Sequence, residues 1–221
     1  MVKAWDAYIL TGMYIIGSAT FISGATLFHP KLVSRPNCYE AGVSMFITGS
    51  AFFLIASIYE WCSNLKAQIT SNDKTQPSEE KEELLRNPDE PQRNNFMKYV
   101  LNVFLTRGTL SVLINLFFLV GSVMYWPTIN QGIVGNWLYR VGSTLTSLSN
   151  IYALIRCLIP PYKSTKSVVM VAIFHILFAL GGLEFFAGGF CFLFHKDEVG
   201  SILWAVGSFF FLLGSCELLI M

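Results

Sequence analysis

Six ionisable side chains fall inside strongly apolar stretches of this chain: Glu60, Arg107, Arg140, His175, Glu184 and Glu217. A charge in hydrocarbon is costly unless paired or hydrated, so such groups mark either a structural ion pair or a path for protons or ions. At about 1.5 Å per residue from the turn-side end of each helix, Arg140 lies roughly 12 Å deep and Glu184 roughly 15 Å deep, so the two are expected to meet. On the same count Glu60, Arg107, His175 and Glu217 all lie about 28 Å from that end, as a second layer near the opposite interface. Two readings follow. In the first, Arg140 and Glu184 form one buried salt bridge that fixes the packing of two helical hairpins, and the deeper layer is solvated at the headgroups. In the second, Glu184, Arg140, His175 and Glu217 are steps of a proton or ion relay, the chemistry that acids and imidazoles at graded depth can support.

No other pattern supplies a reactive centre. His29 and His195 stand where helices leave the apolar zone, without Cys, Asp or a second His at ligand spacing, and are expected to be interfacial side chains rather than metal ligands. The five cysteines, at 38, 62, 157, 191 and 216, form no CxxC pair and fit neither a disulfide framework nor a zinc site. GxGxxG, P-loop, GxSxG and HExxH motifs are absent from the sequence. No cofactor, no metal and no catalytic activity are therefore expected.

The elements that must position the charges are membrane helices. With 221 residues, 53% hydrophobic side chains, 13% charged and a mean hydropathy of +0.53, the chain is too apolar for an ordinary soluble domain. Six stretches reach the ~20 apolar residues needed to cross a bilayer, at about 8–29, 40–61, 106–126, 132–155, 168–194 and 199–220. A net charge of +1 without a concentrated basic face argues against nucleic acid as a partner. The expected partners are the lipid bilayer and either subunits of a membrane complex or further copies of the chain.

Three of the six stretches carry one ladder of small residues at seven-residue steps. It runs through Gly42, Gly49-Ser50 and Ala56-Ser57, then Gly135, Gly142-Ser143 and Ser149-Asn150, then Gly200, Gly207-Ser208 and Gly214-Ser215. Missing side chains let membrane helices approach closely, so the ladder is a packing surface. The preceding stretches repeat more loosely: Gly17-Ser18 leads to Phe28 and Pro30, Gly121-Ser122 to Tyr125 and Pro127, and Gly181-Gly182 to Phe192. The expected fold class is all-α, a polytopic membrane protein with six transmembrane helices as three tandem hairpins. Its divisions are 1–62, an acidic and largely disordered linker at 63–98, 99–158 and 159–221. Tyr39, Trp126, Trp137 and Tyr139 are expected in an aromatic belt at one interface, with Trp61 and Tyr162 at the other.

The segment Val120-Gly121-Ser122-Val123-Met124-Tyr125-Trp126-Pro127 followed by Gly135-Asn136-Trp137-Leu138-Tyr139-Arg140-Val141-Gly142-Ser143 resembles the YrhK-like domain, a family of membrane helical hairpins. The likeness is best over residues 112–156. It implies the hairpin fold and carries over no catalytic residue. Lys3, six Lys/Arg from Lys66 to Lys98, and Arg156, Lys163 and Lys166 share one side, against Lys31, Arg35 and Lys196 on the other, which places both termini in the cytoplasm or matrix. Glu80 to Leu85 has the form of an acidic dileucine sorting signal within the linker. The function these features suggest is structural or accessory, with a small transporter or channel as the alternative.

Overall fold

Glycine and serine weaken an isolated helix, yet at seven-residue spacing they leave a groove into which a second helix can settle. The computed structural model describes residues 4–75, 107–158 and 165–217. These form seven helices: α1 (Ala4–Leu27), α2 (Pro30–Val33), α3 (Cys38–Thr75), α4 (Arg107–Met124), α5 (Gly132–Leu158), α6 (Thr165–Leu193) and α7 (Asp197–Glu217), with no strand among the described residues. The dileucine motif and Tyr162 lie outside the described residues. Helix α3 passes the hairpin boundary expected at residue 62 and runs to Thr75. Between Ser63 and Thr75 there is no glycine or proline to stop it, and Pro77 follows directly after.

The six long helices close into a ring. Each packs on the long helix before and after it in the chain, and α7 returns to α1. Neighbours run antiparallel, since Gly17 and Gly24 of α1 lie against Gly49 and Gly42 of α3 respectively. The turns from α1 to α3, α4 to α5 and α6 to α7 lie at one end of the ring. Each contains a residue with positive φ just before the next helix: Asn37 at 64°, Asn130 at 48° and His195 at 55°. Asn and His are among the residues that accept this left-handed conformation most readily, which is why the three turns can be so short.

Aromatic rings fill the axis of the ring. Phe21, Phe118 and Phe185, from α1, α4 and α6, meet with centroids 5.9–6.4 Å apart. Tyr139 of α5, Phe185 and Trp204 of α7 stack mutually, with centroids 5.0–6.2 Å apart. Phe46 and Phe53 of α3 and Phe211 of α7 complete this core. The outer wall is apolar instead of polar. On α5, Val134, Trp137, Val141, Leu148, Tyr152 and Ile155 are exposed, while Asn136, Arg140, Ser143, Ser147 and Asn150 are buried.

That inversion suits lipid and not water. Four segments are long and apolar enough to cross a membrane: Tyr8–Leu27, Cys38–Lys66, Val168–Leu193 and Asp197–Glu217. In α4 the apolar run Gly108–Met124 is shorter. Helix α5 has the length, but its buried polar face lowers its average apolarity.

Candidate functional site

Arg140 and Glu184 do not form the expected ion pair. Arg140 is 6% exposed, and its guanidinium carbon sits 3.6 Å from the centroid of Phe190, 4.1 Å from Trp137 and 5.4 Å from Phe186. Ring faces, not a carboxylate, compensate its charge, and Nε and Nη1 have no hydrogen-bond partner. Glycine at 189 makes room, because a Cβ there would fall 2.8 Å from Arg140 Cγ. Glu184 turns instead toward α7, where a Cβ added at Gly207 would lie 3.1 Å from its own Cβ. Depth alone missed this. On α6 the residues facing α5 include Gly182, Phe186 and Gly189, and Glu184 is two residues, about 200°, from both Gly182 and Phe186.

The deeper layer is likewise distributed over separate seams. The His175 ring, 3% exposed, shares a 2.9 Å hydrogen bond between Nδ1 and Asn150 Oδ1 across α6 and α5. The Tyr14 hydroxyl of α1 donates to Glu60 Oε2 of α3 at 3.3 Å. Glu217 ends α7 with a buried, unpartnered Oε2. Arg107 begins α4, and its side chain lies outside the described residues. His175 and the Arg140 site are about 21 Å apart along α6, so the structure does not gather the relay residues into one chain. Among the described residues no three His, Cys, Asp or Glu side chains form a metal-binding group. His29 lies 3.6 Å from Glu198, linking the first turn to α7.

The second column of the ladder serves the seams between helix pairs. Between α3 and α4, Ser50 shares a 3.1 Å hydrogen bond with Ser122, and Ser122 a 2.6 Å bond with the Tyr139 hydroxyl. Below them Asn115 Nδ2 donates to Ser57 at 2.5 Å, and Ser57 also bonds Ser111 at 3.1 Å. Between α5 and α6, Asn136 donates to the Gly189 carbonyl and Ser147 to the Ala179 carbonyl, both at 3.0 Å. Ser208 and Ser215 of α7 and Ser18 of α1 instead donate to carbonyls of their own helices, at 2.7, 2.7 and 2.8 Å. Tyr139 belongs to this buried network, fully enclosed, and not to the interfacial belt expected of it. Trp137 remains 52% exposed.

At the turn end of the ring a cavity of about 550 Å³ opens between the helix ends. Phe28, Tyr125, Phe192 and Trp204 line it together with Tyr39, Asn136 and Asp197. The Tyr39 hydroxyl donates to the Tyr125 carbonyl at 2.9 Å. The charge survey missed this site because its parts are mostly uncharged. A signal was present: Phe28, Tyr125 and Phe192 each end the first helix of a pair.

The first column of the ladder packs inside each helix pair. In α1 and α3, Cβ atoms added at Gly17 and Gly24 would lie 3.1 Å from the carbonyl oxygens of Gly49 and Gly42, and the rings of Phe53 and Phe46 cover the same two glycines. This pair carries the full pattern of glycine under ring. Residues 7–65 match the YrhK-like protein family. No curated protein and no solved structure matches the chain.

The YrhK-like match thus falls on α1 and α3, whereas the sequence resemblance was strongest over residues 112–156. Gly181 meets Gly207 under Phe211, and Gly188 meets Gly200 under Trp204, as in the YrhK-like segment. In α4 and α5, Gly121 meets Gly135 under Tyr139, but Gly142 faces the carbonyl of Ile114 at a relaxed 3.5 Å. Gly121 therefore occupies the place of Gly24, not of Gly17 as its Gly-Ser pair suggested. The second pair keeps one YrhK-like contact and loses the other.

Proposed function

We propose that the protein spans the membrane six times as three copies of a YrhK-like hairpin, and acts as a non-catalytic structural or accessory membrane component. The aromatic axis carries this reading. A solute path along the ring would have to displace Phe21, Phe118 and Phe185, whose rings contact one another from three different helices. The relay residues lie on different seams, which weighs against the transporter alternative. Helices α4 and α5 complete the six spans, because their exposed faces are apolar and their polar groups point inward. The charge distribution favours both termini on the cytoplasmic or matrix side.

Two measurements test the proposal. Liposomes containing the purified protein should show proton and potassium flux no greater than empty liposomes. Flux above that background, lost on Glu184→Gln without loss of folded protein, would establish transport instead. Purification in mild detergent should recover a stoichiometric protein partner or a defined oligomer, and a lone monomer speaks against an accessory role.

A further inference from the structure

Arg140 carries a full charge that no carboxylate neutralises. Among the described residues its guanidinium makes neither an ion pair nor a hydrogen bond. Trp137 and Phe190 lie against it, with centroids 4.1 and 3.6 Å from its carbon, but aromatic rings attract a cation without cancelling its charge. The site stays net positive. Nε and Nη1 are closed off, whereas Nη2 is neither bonded nor enclosed, so an anion can arrive only at that edge. Trp137, 52% exposed on the outer wall, sets the guanidinium at the outside of the α5 to α6 seam and not in the ring axis.

Depth decides which anion that is. Helix α6 has 29 residues, about 44 Å, so when centred on a hydrocarbon core of about 30 Å it reaches about 7 Å into the headgroups at each end. Phe190 lies three residues, about 4.5 Å, before that helix ends at Leu193, and carries the guanidinium at the same level. This is where phospholipid phosphates lie. A phosphate there accepts a charge-assisted hydrogen bond from Nη2, while its acyl chains follow the exposed stripe of Val141, Leu148 and Ile155 down α5. A zwitterionic lipid brings a cation of its own, so a net-anionic one gains more. We propose that Arg140, framed by Trp137 and Phe190, binds the phosphate of a net-anionic phospholipid in the leaflet at the turn end. The inference rests on the reading of α5 and α6 as membrane spans.

The full chain in phosphatidylcholine vesicles tests it, with dibrominated phosphatidylglycerol or dibrominated phosphatidylcholine as a minor component and quenching of Trp137 as the readout. Phosphatidylglycerol should occupy the site about fivefold more readily, the gain expected of one basic side chain at an anionic surface. The excess quenching should vanish in Arg140→Gln, and in Trp137→Phe, which keeps a ring beside the guanidinium but removes the reporter. It should persist in Lys196→Gln, which deletes an exposed charge from the last turn at the same end. Co-flotation with the vesicles after an alkaline wash is read first. A protein that does not float overturns the spanning reading and this proposal with it. A protein that floats but is quenched equally by the two lipids overturns the proposal alone, as does an excess that survives Arg140→Gln or Trp137→Phe, or that is lost in Lys196→Gln. An excess abolished by inorganic phosphate at constant ionic strength would make the ligand a soluble anion, and overturns the lipid assignment.

Discussion

The seam between α5 and α6 and the seam between α7 and α1 join neighbouring helix pairs in the same ring by different means. Across the first, Asn136, Ser147 and Asn150 form hydrogen bonds to Gly189, Ala179 and His175, and Arg140 lies against Phe186 and Phe190. At the second, the hydroxyls of Ser18, Ser208 and Ser215 are fully buried or nearly so, and bond to carbonyls one turn back in their own helices. Both seams use small residues to bring backbones close. Among the described residues only the first converts closeness into cross-helix hydrogen bonds, and so fixes register as well as distance. The second is held by shape, by the edge contact of Phe28 with Trp204 at 6.4 Å, and by His29 against Glu198 at the turn end.

The hardest blow to the first seam is Gly182→Val. A Cβ at Gly182 would run into Ser147 Oγ and lie 2.9 Å from the Ser143 carbonyl oxygen, which is backbone and cannot step aside. The expected cost is about 3 kcal/mol, at the upper end for overpacking. It is read as loss of monodisperse protein, or as a large fall in melting temperature in detergent. Gly12, which has nothing within 4 Å of an added Cβ, provides the control, since Gly12→Val should leave folding intact. Equal behaviour of the two variants would show that the α5 to α6 contact does not carry the ring.

Asn150→Leu strikes the same seam without steric conflict. It removes the 2.9 Å contact between the His175 ring and Asn150 Oδ1. Cross-helix polar contacts in membranes contribute about 0.6 kcal/mol on average and up to about 1.7, so the net loss is expected at about 1 kcal/mol. A double-mutant cycle with His175→Leu should return a coupling of that order, and zero coupling would demote the pair to coincidence of packing.

These contacts also show where sequence was sufficient. The long apolar runs placed most helix ends closely, as at Leu27, where the span was expected to end near residue 29, but not the end of α3, whose polar last turns run on to Thr75. Hydrophobicity sets length along the axis and is insensitive to rotation about it. Arg140 and Glu184 were therefore given correct helices and comparable depth, yet point into different seams. Rotation was available from the ladder itself. Gly182 and Gly189 mark the face of α6 that meets α5, and Glu184 is off that face by nearly half a turn. Tyr139 is similar: it stands four residues after Gly135, as Phe46 does after Gly42 and Trp204 after Gly200, which assigns it to the axis instead of the interface. The unmet Asn136 oxygen had no comparable signal, because hydrogen-bond satisfaction depends on what the neighbouring helix brings near it.

The smallest effect separates the seams most cleanly. Ser208 is fully buried at the centre of its ladder, in the place that Ser143 holds in α5 and Ser50 in α3. Burial alone would mark it as important. Its hydroxyl, however, satisfies itself on the Trp204 carbonyl at 2.7 Å, and alanine removes donor and need together, since that carbonyl keeps its helical hydrogen bond. Ser208→Ala should therefore change stability by less than about 0.5 kcal/mol. Ser147→Ala deletes a 3.0 Å bond to Ala179 across the seam and should cost about 0.6 kcal/mol. Reversible unfolding of both variants in the same detergent series ranks the two. If Ser208→Ala proves the costlier of the two, the α7 to α1 seam carries a cross-helix bond of its own, and the two seams would have to be treated as alike.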